Sequence, residues 1–171
     1  MTSVAGPAHP GLTVVRAAVG DPLVRPMLRE LGDEYAARYG KDAHAELLRY
    51  PAGEFAPPHG ALLLLVAGGE AVAGGAFRRH EAPGTAEFKR IWTHSAHRRR
   101  GLARRVVAEL EREASARGYR RAYLTTGPRQ PEARELYLAT GYTPLFDTGA
   151  DPESIGPLPF EKQLDSAGER P

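Results

Sequence analysis

Trp92-Thr93-His94-Ser95-Ala96-His97-Arg98-Arg99-Arg100-Gly101-Leu102-Ala103-Arg104-Arg105 holds a strand end, a short basic turn and a helix start in one uninterrupted run. The first amides of a helix have no intrahelical partners, and the helix dipole adds partial positive charge there. Small residues at Gly101 and Ala103 let an anion approach that backbone closely, and neighbouring arginines can grip its outer oxygens. The run predicts a phosphate cradle. It is not a P-loop, because the Gly-Lys-Ser/Thr ending that such a loop needs is missing.

Working outward, Ala61–Ala67 and residues 71–79 form two strands joined at Gly68-Gly69, and a turn at Pro83-Gly84 leads into a strand over 86–94. On the other side, 101–117 is an amphipathic helix with Leu102, Val106, Leu110 and Ala114 on one face and Gly118 at its end. A strand over 119–126 follows. Pro131 then opens a helix that Gly141 closes, and short strands are expected at 143–146 and 158–163. Before the hairpin lie a strand at 12–17, a helix at 21–39 capped by Asp21, and a short helical piece at 43–50. Strands and helices in this mixed order imply an α/β domain with helices on both faces of one sheet.

Length and composition agree with one domain. The chain has 171 residues, 42% hydrophobic and 26% charged, as expected of a single globular core. Residues 1–11 are predicted to be a flexible arm, 12–165 the domain and 166–171 a tail. The absence of cysteine excludes disulfides and thiolate chemistry. No N-terminal stretch joins a basic start to a long apolar run, so neither a signal peptide nor a membrane span is expected, and the chain is read as cytoplasmic. The histidines lack paired ligand spacing, so no metal site is expected.

Arg98-x-x-Gly101-x-Ala103 matches the Arg/Gln-x-x-Gly-x-Gly/Ala signature of the GNAT acetyltransferases. Further on, Gln130-Pro131-Glu132-Ala133-Arg134-Glu135-Leu136-Tyr137-Leu138-Ala139-Thr140-Gly141-Tyr142 resembles the second cofactor motif of that family, a helix carrying a tyrosine followed by a Gly-aromatic pair. Phe160-Glu161-Lys162 is similar to its closing strand. Gln130 stands where many members have asparagine.

The resemblance implies the GNAT acyl-CoA N-acyltransferase fold, a mixed, mostly antiparallel sheet of six to seven strands. It also implies an enzyme that moves an acetyl group from acetyl-CoA to a primary amine by direct attack. Ile91, Trp92 and Thr93 would pair through their backbone with the pantetheine arm, in a slot made where this strand splays from 119–126. Arg98, Arg99, Arg100, Gly101, Leu102, Ala103 and Arg104 would hold the diphosphate, with Gln130, Ala133 and Tyr137 completing the coenzyme A site. Tyr137 resembles the acid that protonates the departing thiolate. Glu87 is the candidate base, on a strand where Lys89, Ile91 and Thr93 share its parity; His94 and His80 are weaker candidates. Glu34, Tyr35, Tyr39, Phe55 and His59 are candidate acceptor-lining residues, a set suited to a cationic small molecule. A homodimer would be ordinary for the family.

Two other readings compete with the enzyme. A nucleic-acid-binding domain would spread its basic residues over a broad face, but Glu109, Glu111 and Glu113 occupy the second half of the helix after the cradle. A non-catalytic acyl-CoA sensor would keep the fold without the chemistry.

Overall fold

The run Ala-Leu-Leu-Leu-Leu-Val-Ala lacks polar alternation, as suits a strand covered on both faces. In the computed structural model it is β3 (Ala61–Ala67), with residues 61–65 all buried. The structure describes residues 3–5, 11–40 and 50–165. The helical piece expected at 43–50 lies, apart from Tyr50, outside the described residues.

The remaining strands are β1 (Ser3–Ala5), β2 (Thr13–Arg16), β4 (Glu70–Arg79), β5 (Thr85–Thr93), β6 (Arg121–Thr126), β7 (Thr143–Pro144) and β8 (Leu158–Gln163). They form one sheet in the order β1-β2-β3-β4-β5-β6-β8-β7. The pair β5–β6 is parallel and the other neighbours are antiparallel. This is the mixed, mostly antiparallel α/β sheet expected, extended at one edge by β1. The β3–β4 turn has Gly68 and Gly69 at φ 57 and 81, the paired left-handed conformation of a type I′ hairpin.

Helix α1 (Arg25–Tyr39) follows a 3₁₀ turn whose first free amide, Leu23 N, is capped by Asp21 Oδ1 at 2.9 Å. The other helices of the described residues are α2 (Leu102–Ala116), α3 (Pro131–Ala139) and the short α4 (Pro152–Ile155), the last lying between the two final strands.

The two faces of the sheet carry two cores. Val24, Met27 and Leu31 pack with Leu62, Leu64, Phe55 and Trp92 on the α1 face. Leu102, Val106, Leu110 and Tyr137 pack with Leu63, Leu65, Phe88 and Phe160 on the other. Alternation along β3 sends its leucines to both sides. At Gly74 and Gly75 in β4 the helical layers come close: a Cβ on Gly74 would meet Met27 Cε at 2.6 Å, and one on Gly75 would meet Val106 and Leu110 at 2.9 Å.

Candidate active site

Two irregularities in β5 shape the site. Its parallel pairing with β6 covers Thr85, Ala86 and Glu87, opposite Arg121, Ala122 and Tyr123, and goes no further. Beyond Glu87 the pairing ends, so residues 88–93 have β4 on one side and, among the described residues, no strand on the other. Burial follows the split: residues 85–88 are buried, and Lys89, Arg90 and Ile91 are partly open. An unpaired strand edge lining a cleft is a ready partner for an extended, amide-bearing chain.

The second irregularity is a bulge. Opposite β4 the register runs from Gly74↔Trp92 to Ala76↔Lys89, so β5 holds one residue more than its partner, and Arg90 sits at φ 60. This corrects the parity expected from simple alternation. Ile91 packs against the α2 face with Val106 and Leu110, whereas Glu87, Lys89, Arg90 and Trp92 all face α1. A non-glycine residue at positive φ costs about 1–3 kcal/mol, a strain found most often at functional sites.

The cradle follows Thr93. His94 Nδ1 accepts from Ala96 N at 3.0 Å and so caps a 3₁₀ turn, which makes His94 a structural residue of the turn. Arg98 is extended, Arg99 is left-handed at φ 64 and Gly101 is left-handed at φ 72. Left-handed residues either side of Arg100 are the kind of backbone turn from which an anion nest is built. The first α2 bond, Arg105 N to Gly101 O at 3.2 Å, leaves the amides of Leu102, Ala103 and Arg104 to a ligand or to solvent. Arg99, Arg100 and Arg104 are exposed around the nest. The backbone and charge present fit a diphosphate, and the open edge of β5 fits the arm that would trail from it.

Helix α1 lies across the wide end of the split. Near its start, Glu30 Oε1 accepts from Trp92 Nε1 and Ser95 N, each at 3.0 Å, and Oε2 accepts from Ser95 Oγ at 2.6 Å. Burial opposes the charge on Glu30, but the bonds from Ser95 and Trp92 prevail and hold its pKa below the usual carboxylate value. Glu34 bridges Arg38 at 2.8 Å and Arg98 at 3.9 Å. At the far end, Tyr39 Oη accepts from Arg129 N at 3.2 Å and Arg129 Nη1 donates to Arg38 O at 2.8 Å. One helix thus ties the cradle to the loop after β6.

Tyr137 is buried on the opposite side. Its ring stands 5.6 Å from those of Tyr142 and Phe160. Tyr142 is fixed in turn by donating to Glu111 Oε2 at 2.8 Å. Burial, reinforced by the Tyr35 phenol on α1, pushes the Tyr137 pKa far above that of an ordinary phenol. Tyr35 also acts electrostatically on Arg90. The Tyr35 phenol thus acts electrostatically on residues of both sides of the sheet.

Glu87 ends the paired part of β5, at the apex of the split. Its Oε1 accepts from Arg78 Nη1 at 2.7 Å, and Oε2 lies 3.7 Å from Lys89 Nζ. Arg78 is also held by Glu54 at 2.6 Å and stacks on Tyr50.

Several other candidates have structural engagements. Gln130 Oε1 accepts from Gly127 N at 2.9 Å and so closes the β6–α3 loop. Ala133 packs against the α2-side core. Phe55 is 2% exposed within the α1-side core, beneath the Arg90 guanidinium, so acceptor contact there is replaced by packing. His59 offers its carbonyl to Tyr119, away from the split, and the ring of His80 lies against Tyr123. Glu30, Arg78 and Arg90 were not picked out in the sequence; an acid one helical turn before Glu34 was the available signal for the first.

The acetyltransferase (GNAT) family model matches residues 25–142. Among curated proteins, an uncharacterized N-acetyltransferase, YsnE, from Bacillus subtilis (strain 168) is 38% identical over 74 residues, 40% of this chain and 49% of that protein. The match thus spans about half the length of that relative. A Klebsiella pneumoniae structure assigned as an acyl-CoA N-acyltransferase superposes with a TM-score of 0.69 at 26% identity, covering 90% of this chain and 98% of that one. The PaiA N-acetyltransferase of Thermoplasma acidophilum, solved with coenzyme A, gives 0.68 at 12% identity over 90% and 99% of the two chains. At that identity the likeness is one of fold.

Proposed function

The chain belongs to the GNAT acetyltransferase family, and from that premise we propose that it transfers an acetyl group from acetyl-CoA to a primary amine, by direct attack with both substrates bound. The observation that carries this reading is the β5–β6 split, which opens toward the turn of left-handed residues at Arg99 and Gly101. Acetyl-CoA, when bound, supplies an acyl carbon activated as a thioester.

The residues of the chain divide the remaining work. The nest and the exposed arginines hold the diphosphate. The free edge of β5 over Ile91, Trp92 and Thr93 aligns the arm, and α1 shields the mouth of the split. As the amine nitrogen bonds to the carbonyl carbon and the carbon–sulfur bond breaks, Glu87 Oε2 takes up the proton the amine loses. The raised pKa keeps Tyr137 protonated, so its hydroxyl donates to the leaving sulfur as negative charge gathers there.

Calorimetric titration with coenzyme A and acetyl-CoA tests the reading, with Gly101→Glu as the control. The glutamate brings bulk, charge and a side chain to a residue at φ 72. Micromolar-range binding by the wild type, lost in a folded variant, supports the proposal. A folded wild type that binds neither compound refutes it and returns the arginine cluster to another anion.

A further inference from the structure

The bulge in β5 places two successive cations, Lys89 and Arg90, on the α1 face at the point where the split opens. Regular alternation would have sent one of them into the opposite core. The two are housed differently. Arg90 lies 4.5 Å over the Phe55 ring. Lys89 is held loosely, 3.7 Å from Glu87 Oε2 and 4.7 Å above the Tyr50 ring, with 19% of its side chain exposed. Glu87 is shared: one oxygen is bonded by Arg78 at 2.7 Å, which also has Glu54 at 2.6 Å, and the other lies beyond hydrogen-bond distance of the Lys89 ammonium. A largely buried ammonium is stable when an anion completes its coordination.

We propose that the acceptor is an amine carrying a carboxylate on a neighbouring carbon, an amino acid in the simplest case, with the Lys89 ammonium as its anion site. The inference rests on the acetyltransferase reading and on Glu87 as the proton acceptor. The separation decides the class. With the amine at Glu87 Oε2 and the anion at Lys89 Nζ, two groups only 3.7 Å apart must be served by one small molecule. An α-amino carboxylate spans that distance, whereas the second charge of a diamine would meet Lys89 with like sign. Tyr50 and Phe55 add flat surfaces beneath the two cations, so the anion site is a cationic shelf backed by rings.

Thiol release from acetyl-CoA is measured with a panel of L-amino acids, their carboxamides and 1,4-diaminobutane. The acids should exceed their own amides by about tenfold or more in kcat/KM, as expected when one charged contact is lost. Lys89→Met should bring the acids down to the level of the amides, through KM, while leaving coenzyme A affinity unchanged by calorimetry. Amides or the diamine used as well as the acids would overturn the proposal. So would an enzyme that binds coenzyme A yet acetylates none of the acids. The acid-to-amide comparison in the wild type decides the matter even if Lys89→Met does not fold. Failure to bind coenzyme A would instead strike the underlying reading.

Discussion

At the residue scale Tyr137 has two parts to play. Its ring packs against Tyr142 and Phe160, and its hydroxyl is the donor proposed for the leaving sulfur. Tyr137→Phe keeps the ring and removes the donor. It should leave the melting temperature within a few degrees and coenzyme A affinity intact, while kcat falls by about 10- to 100-fold. A matching fall in stability would assign Tyr137 to packing alone. Tyr137 was legible in the sequence because its motif surrounds it with Pro131, Gly141 and Tyr142. Glu87 was legible by position, but its ion pair with Arg78 was not, since that contact crosses β4 and β5 and depends on register.

At the scale of elements, the bulge of β5 and the glycines facing it decide which side chains meet. Nothing in Phe88-Lys89-Arg90-Ile91 announces an extra residue, and alternation placed Ile91 beside Glu87 when it belongs with Val106 and Leu110. Opposite the bulge, Gly74 and Gly75 of β4 carry no side chains, and a Cβ on either would meet the helix layer on its face. Gly74→Ala would put a methyl 2.8 Å from the Leu63 carbonyl and 2.6 Å from Met27 Cε. Overpacking of that kind costs about 1–3 kcal/mol, which a denaturant titration should register. Glu30 gives a second prediction at this scale. Glu30→Gln replaces a carboxylate that takes three hydrogen bonds from Trp92 and Ser95. Loosening the turn ahead of the cradle should weaken coenzyme A by about fivefold, with KM for the amine moving less. Equal losses for both substrates would mean that Glu30 supports the fold generally.

At the scale of the molecule, the strand–helix order and a sheet with helices on both faces were legible from hydrophobic pattern and turn residues, and the structure puts β3 in the middle of both cores. The divergence of β5 from β6 and the crossing of α1 over their mouth could be expected only through the resemblance, because they depend on pairings distant in sequence. The buried tyrosines also set a pH limit on the whole fold. Burial raises Tyr137, and burial with Glu111 raises Tyr142, above the ordinary value of 10.0. A raised folded-state pKa gives stability that is complete below the unfolded value and is lost as pH climbs beyond it. Melting temperature should therefore hold to about pH 9 and drop above about pH 10, and Tyr142→Phe should flatten that drop. A profile unchanged by Tyr142→Phe would place the alkaline limit elsewhere. Residues 91–93 and the turn from Arg98 to Arg104 are proposed to form one coenzyme A site. Amide hydrogen exchange, followed with and without coenzyme A, tests it most directly. The account predicts new protection confined to those two segments and the start of α3. Protection elsewhere, with the β5 edge and the cradle exchanging as before, would contradict it.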